Sequence, residues 1–209
     1  MALPATDTFT GTDGASIGNN WTMARNGFVI ASNQAVGSTD DDCYAYWSAD
    51  AFAANQYSRA TIQGLTANAQ YKGMVVRAAG TGASFRGYAC YTDGSAGAGH
   101  TEIIKLTGGV SSSLKAIATT FTAGDVMELR ATGTTTTTIA LYRNGSLVDA
   151  VDDSSSPWTD GAPGITVYGQ TVGIDNWEGG NLAAAGPGLI RLARVNGGFG
   201  PPMTGGVRR

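Results

Sequence analysis

Cleaving a sugar polymer needs two carboxyl groups facing each other, about 5 Å apart for a retaining reaction and wider for an inverting one. The chain's three glutamates, Glu102, Glu128 and Glu178, are isolated from one another, and flanking strand-like residues predict an outward, solvated position for each. Asp149, Asp152 and Asp153 are close together, but Asp152-Asp153-Ser154 reads as a turn-forming loop. The single histidine, His100, lies in Gly97-Ala98-Gly99-His100, and Ser111-Ser112-Ser113 provide no elbow for a nucleophile. Glycines at 94–99 and 108–109 fit neither a phosphate-binding loop nor a dinucleotide fingerprint. Cys43 and Cys90 lack metal-ligand or Cys-x-x-Cys spacing, so two buried thiols are expected, with a disulfide as the alternative. Asp40-Asp41-Asp42 carries oxygen ligands suited to calcium. Three adjacent side chains cannot all point one way, however, and a solvated loop is the simpler expectation.

Short strands must position these groups. Of the 209 residues 42% are hydrophobic, 14% are charged and 31 are glycine, a composition poor in helix-surface residues and rich in turn formers. Alternating or short apolar runs recur at Phe28 to Ala31, Cys43 to Trp47, Tyr57 to Ile62, Tyr71 to Ala78, Tyr88 to Tyr91 and Glu102 to Leu106. They continue at Leu114 to Ala118, Val126 to Ala131, Thr137 to Arg143, Ser146 to Val151, Gly164 to Tyr168 and Val172 to Trp177. Asn144-Gly145 supplies the two positive-φ residues of a type I′ hairpin turn. Thr134 to Thr138 reads as a half-exposed strand, and Ala49 to Asn55 has room for one helical turn. The expected fold is all-β, an antiparallel two-sheet sandwich.

Formal net charge is −3, which gives no basic field to hold nucleic acid, and no apolar run reaches the roughly 18 residues of a membrane span. No basic residue precedes Arg25 and no signal-length apolar stretch follows the start, so synthesis in a cytoplasm without a signal peptide is expected. Charge is divided unevenly. Residues 1–181 hold nine Lys and Arg against all 16 Asp and Glu, a net −7, whereas residues 182–209 carry four arginines and no acid. The same boundary begins a stretch with Gly186-Pro187-Gly188, Gly197-Gly198 and Gly200-Pro201-Pro202. The reading is a domain over 1–181 and a basic, Gly/Pro-rich arm over 182–209.

Several segments, taken in order, resemble the concanavalin A-like lectin/glucanase superfamily of jelly rolls. Asp7-Thr8-Phe9-Thr10-Gly11-Thr12-Asp13-Gly14 followed by Trp21 is similar to its opening strand, and Tyr71 to Ala78 and Gly87 to Tyr91 to central strands. Phe121 to Arg130, with Gly124-Asp125, and the Tyr142 to Val148 hairpin follow in place. Gly161-Ala162-Pro163-Gly164-Ile165 and Ile174-Asp175-Asn176-Trp177-Glu178 resemble the closing elements. The likeness covers residues 7 to 181. It implies a jelly roll of a kind also found in bacteriophage structural proteins, but fold alone does not choose among lectin, glycosidase and particle subunit.

The Glu-x-Asp-x-x-Glu catalytic strand of the family's glucanases does not occur in this chain, so the resemblance implies no enzyme and leaves a glycoside hydrolase the least favoured reading. No cofactor is required. A structural calcium between the first and last strands would fall to Asp7 and Asp175. Sugar binding in such folds uses an exposed aromatic platform, for which Tyr44, Tyr46, Trp47, Tyr88, Tyr91, Trp158 and Tyr168 are available. Trp158, expected to be exposed in its loop, Tyr91 and Tyr168 are the candidate glycan contacts, while Trp21 and Trp177 are assigned to the core. Leu189, Ile190, Arg191, Arg194, Phe199, Arg208 and Arg209 would make the arm a partner-binding segment. The favoured expectation is a non-enzymatic outer subunit or decoration protein of a phage particle. Its arm would bind other virion proteins or further copies in a homo-oligomer, with a cell-surface glycan as a further partner. A carbohydrate-binding module or lectin is the alternative.

Overall fold

The computed structural model describes residues 3–64, 70–93, 100–171 and 173–183. Fifteen strands run in the order β1 (Ala5–Asp7), β2 (Trp21–Arg25), β3 (Phe28–Ala31), β4 (Gln34–Gly37), β5 (Asp42–Trp47), β6 (Gln56–Gln63), β7 (Lys72–Ala79) and β8 (Arg86–Thr92). They continue as β9 (Thr101–Thr107), β10 (Val110–Ile117), β11 (Val126–Thr132), β12 (Thr137–Arg143), β13 (Ser146–Asp153), β14 (Ala162–Tyr168) and β15 (Gly173–Asn181). One sheet has the order β13-β12-β11-β6-β15-β4-β3 with β1 also on β15; the other runs β10-β9-β8-β7-β14-β5-β2. Every ladder is antiparallel. The two sheets close on each other as the expected sandwich.

Period-two alternation builds the core. Met74 and Val76 of β7, Ile103 of β9, Leu129 of β11, Leu141 of β12 and Ile165 and Val167 of β14 all point between the sheets and are buried. Trp21, Trp47 and Trp177 meet there, with Trp21 at 4.5 Å from Trp177 and 5.4 Å from Trp47 between ring centroids. Their indole N–H groups donate to Asp7, Asp50 and Ser58, so three large rings are buried with no polar atom stranded. Cys43 and Cys90 are buried free thiols. Burial raises both thiol pKa values.

Arg77 fixes one end of the sandwich. It sits at a bulge of β7 with φ +53, and its buried guanidinium donates to the carbonyls of Ala54, Gly133 and Trp158 and to the Thr137 hydroxyl. Several loops are thereby tied to one side chain. Asn144-Gly145 adopts φ +51 and +80, the expected hairpin turn between β12 and β13.

Three expectations are corrected. Residues 49–55 contain no helix; among the described residues the one helical turn is Gly82–Ser84. The Asp152-Asp153-Ser154 loop is partly strand, because β13 runs through Asp153, whose carboxylate is buried against Lys105 Nζ at 2.7 Å. The short strands β1, β2 and β4 lacked enough alternation to be read, and β1 ends at Asp7, where the opening motif begins. The chain leaves β15 with the Leu182 amide donating to Asn55 O. The arm residues Leu189, Ile190, Arg191, Arg194, Phe199, Arg208 and Arg209 lie outside the described residues.

Candidate functional site

Residues that alternate with the core positions of the seven-stranded sheet form its outer face. Register aligns them across strands: Glu102 of β9 opposes Tyr91 of β8, which opposes Gly73 of β7, then Thr166 of β14 and Tyr44 of β5. One pleat further along, the Tyr168 amide donates to Tyr71 O and Tyr168 opposes Asp42. The hairpin joining β8 and β9 adds Asp93 and His100, whose Nδ1 hydrogen-bonds the Asp93 carboxylate at 2.7 Å.

Tyr71 is the centre of this face. Its ring lies 4.5 Å from that of Tyr91 and 5.4 Å from that of Tyr168, and all three rings are half-buried. Gly73 keeps the floor beneath them flat, since a Cβ there would sit 1.7 Å from the Cys90 carbonyl oxygen. Thr166 turns its hydroxyl away to donate to Cys43 O at 3.1 Å. The five strands β9, β8, β7, β14 and β5 are spaced about 4.8 Å apart, so the row extends roughly 19 Å across them; Glu102 and Tyr91 are half-exposed on it, and Thr166 and Tyr44 are buried.

The loop between β7 and β8 closes the other end of the same face. Phe85 folds back onto Tyr44 with a centroid separation of 5.2 Å and is buried among Val75, Ala89, Ile104 and Leu106. A cleft of about 250 Å³ remains beside this loop, lined by Arg25, Gly82, Ala83, Gly108 and Gly109.

Negative charge surrounds the tyrosines. Glu102 accepts a hydrogen bond from the Tyr91 hydroxyl at 2.7 Å. The Tyr91 phenol is pushed up first by burial and then by the hydrogen bond and charge of Glu102; Tyr44 is raised by burial and by Asp42. Burial raises the Asp42 carboxyl, an effect opposed by Arg25, whose guanidinium lies 3.3 Å from Asp42 and 3.6 Å from Asp41. The half-exposed rings of Tyr71, Tyr91 and Tyr168, with the carboxylates of Glu102 and Asp42 beside them, offer the ring faces and hydrogen-bond acceptors that a sugar's C–H face and hydroxyl edge can use.

The structure brings Tyr91 and Tyr168 together and sends Trp158 elsewhere. Trp158 sits near the β8 start, at Arg86, whereas Tyr91 is near its end. It is half-buried rather than exposed: its Nε1 donates to Leu106 O, and Arg86 and Lys105 lie 4.9 and 5.5 Å from its ring. Its amide donates to the Tyr88 hydroxyl, which donates to Asp153. Trp158 therefore secures a loop instead of offering a free ring. The sequence marks Tyr71 only as the start of a strand; its one signal is its place two residues before Gly73, on the same strand face.

The carboxylates away from this face are held by neighbouring donors. Glu128 faces outward as expected but is only 6% exposed, because long neighbours on its own face cover it; Arg130 Nε donates to it at 2.6 Å. Glu178 accepts from the Tyr57 hydroxyl and from Arg59. Asp7 uses both oxygens to accept from the Phe9 amide and the Trp21 indole, each at 2.8 Å, and Asp175 accepts from the amide and side chain of Asn176. Asp7 opposes Trp177, two residues past Asp175. Among the described residues no three His, Cys, Asp or Glu side chains converge on one point, and Asp7 lines a cleft with Thr6, Thr8, Asn176, Trp177 and Glu178.

No protein-family model matches the chain, and no curated protein matches it in sequence. Solved structures do match in fold. A carbohydrate-binding module, CBM66 from Bacillus subtilis, aligns with a TM-score of 0.61 and 17% identity, covering 78% of this chain and 96% of its own. The exoplasmic/lumenal domain of VIP36, in a form bound to Ca2+ and Man3GlcNAc, aligns with a TM-score of 0.55 and 10% identity over 79% of this chain and 84% of its own. The carbohydrate recognition domain of Emp46p, in a potassium-bound form, gives 0.54 and 7% over 79% and 90%. The fold is accordingly a two-sheet jelly roll like that of these carbohydrate-binding and lectin-type domains. Neither the described residues nor these neighbours bear on a place in a virus particle.

Proposed function

We propose that this chain is a carbohydrate-binding module, and that the outer face of the seven-stranded sheet is its glycan platform. The observation that carries the reading is the Tyr71, Tyr91 and Tyr168 cluster, three half-buried rings on a flat floor with Glu102 and Asp42 at their edges. The fold neighbours, two of them titled as carbohydrate-binding or carbohydrate-recognition domains, support it. Binding without catalysis accords with the carboxylates of this face: Glu102 accepts from a phenol, Asp93 pairs with an imidazole and Asp42 lies beside a guanidinium. The alternative of an outer particle subunit anchored by residues 182–209 has no described residue behind it, and binding is the reading adopted.

The test is a screen of the full chain against immobilised polysaccharides and oligosaccharides. Wild type is expected to bind a subset, and Tyr91→Ala and Tyr168→Ala to weaken binding at least about tenfold with the melting temperature little changed. Trp158→Ala should lower the melting temperature and spare binding at temperatures where the domain stays folded. A screen without a binder, or tyrosine variants that bind like wild type, would sink the proposal.

A further inference from the structure

Three part-exposed aromatic rings elsewhere on the molecule carry a cation from this chain. Arg59 lies 5.8 Å from the Tyr57 ring centroid, Arg130 lies 3.9 Å from that of Tyr142, and Arg86 and Lys105 flank Trp158. Among the described residues the rings of Tyr71, Tyr91 and Tyr168 have no such cation; they pack on one another. Glu102 is likewise set apart. Glu128 and Glu178 are each bonded to an arginine, whereas among the described residues Glu102 bonds the neutral phenol of Tyr91. The other charged groups near the cluster are Asp93, bonded to His100, Asp41 and Asp42, which engage Arg25, and Lys72, whose buried ammonium donates to the carbonyls of Gln63 and Gly64.

Aromatic faces attract cations through the ring quadrupole, and a half-buried carboxylate without an arginine or lysine leaves negative charge beside them. From this charge complementarity we infer that the preferred ligand is a cationic amino-sugar glycan, its ammonium group seated against the tyrosine rings beside Glu102. The inference rests on the glycan-binding reading and deepens it by naming the sugar class. Uronic acids and other anionic sugars would meet Glu102, Asp93 and Asp42 with like charge and be rejected.

Calorimetric titration of the full chain with three tetrasaccharides tests this: glucosamine with free, protonated amines, its fully N-acetylated counterpart, and a neutral glucose oligomer. The ammonium form is expected to bind about tenfold more tightly than the other two, the gap narrowing as salt is raised. Glu102→Gln should erase the gap by weakening the ammonium form more than the N-acetylated one, and Glu102→Asp, which keeps the charge, should retain most of it. Thermal melts of both variants check that the fold is intact. Equal or tighter binding of the N-acetylated or glucose oligomer overturns the amino-sugar inference and leaves the glycan reading standing. A preference that survives Glu102→Gln overturns the role given to Glu102, and a failure of all three sugars overturns the amino-sugar inference, the glycan reading then standing or falling on the broader screen.

Discussion

The two outer faces of the sandwich both display tyrosines beside glutamates and use them in opposite ways. On the eight-stranded sheet, Glu178, Arg59 and Glu128 occupy successive cross-strand positions, with Arg130 and Tyr142 alongside. Each charge there has a partner: Arg59 bonds Glu178 at 2.8 Å, Arg130 bonds Glu128, and the two guanidiniums cover the rings of Tyr57 and Tyr142. On the seven-stranded sheet the rings meet each other, and Glu102 meets a phenol. A face whose charges and rings satisfy one another has little left to offer a ligand. The difference shows that tyrosine content does not mark a binding surface; what counts is whether the chain itself already supplies the partners.

The comparison can be broken most directly by exchanging a ring from each face for alanine. Tyr71→Ala removes the central ring and should cost at least about 2 kcal/mol of glycan affinity, some 30-fold in Kd, whereas Tyr142→Ala should leave Kd within about twofold. Loss of binding in Tyr142→Ala alone would reverse the roles of the two faces.

Stability should respond in the opposite sense. Glu128→Ala strips Arg130 of a buried partner and is expected to cost about 1–2 kcal/mol in urea unfolding, while Glu102→Ala, on the half-exposed face, should cost about 0.5 kcal/mol or less. Equal losses would mean that the tyrosine face is held together by Glu102 as tightly as the other face is by Glu128.

The smallest effect concerns a device both faces share, a phenol donating to a glutamate. Burial, then the hydrogen bond to Glu178, pushes Tyr57 up to about 12, and Tyr91 is raised by burial and by Glu102. A folded-state pKa raised above the unfolded value contributes stability that is complete below the unfolded value near 10 and is lost as pH rises through the folded one. Thermal melts taken at rising alkaline pH should therefore show a declining melting temperature, and Tyr57→Phe and Tyr91→Phe should each flatten part of that decline. An unchanged slope in both would remove these phenols from the alkaline transition.

Much of the fold was legible because its signals are local. Ile139-Ala140-Leu141-Tyr142 and Leu147-Val148 around Asn144-Gly145 specify a hairpin with no help from the rest of the chain, since alternation and positive φ are properties of adjacent residues. The short strands β1, β2 and β4 carry three to five residues each, too few to repeat a period, and they become strands only by pairing with β15, β5 and β3.

The site was less legible because it is a matter of partners. The sequence places Tyr91 and Tyr168 in an available aromatic group and singles out Trp158 as its exposed member. Only the pairing of β7 with β8 and β14 puts Tyr71 between the first two, and only the packing of loop 154–160 on β8 and β9 turns Trp158 into a capped, half-buried ring. Alternation along one strand assigns a side chain to a face. It says nothing about which side chain from another strand lies across from it, and it is that cross-strand neighbour, an arginine over Tyr142 or another tyrosine over Tyr71, that decides whether a ring is already covered or open to a ligand.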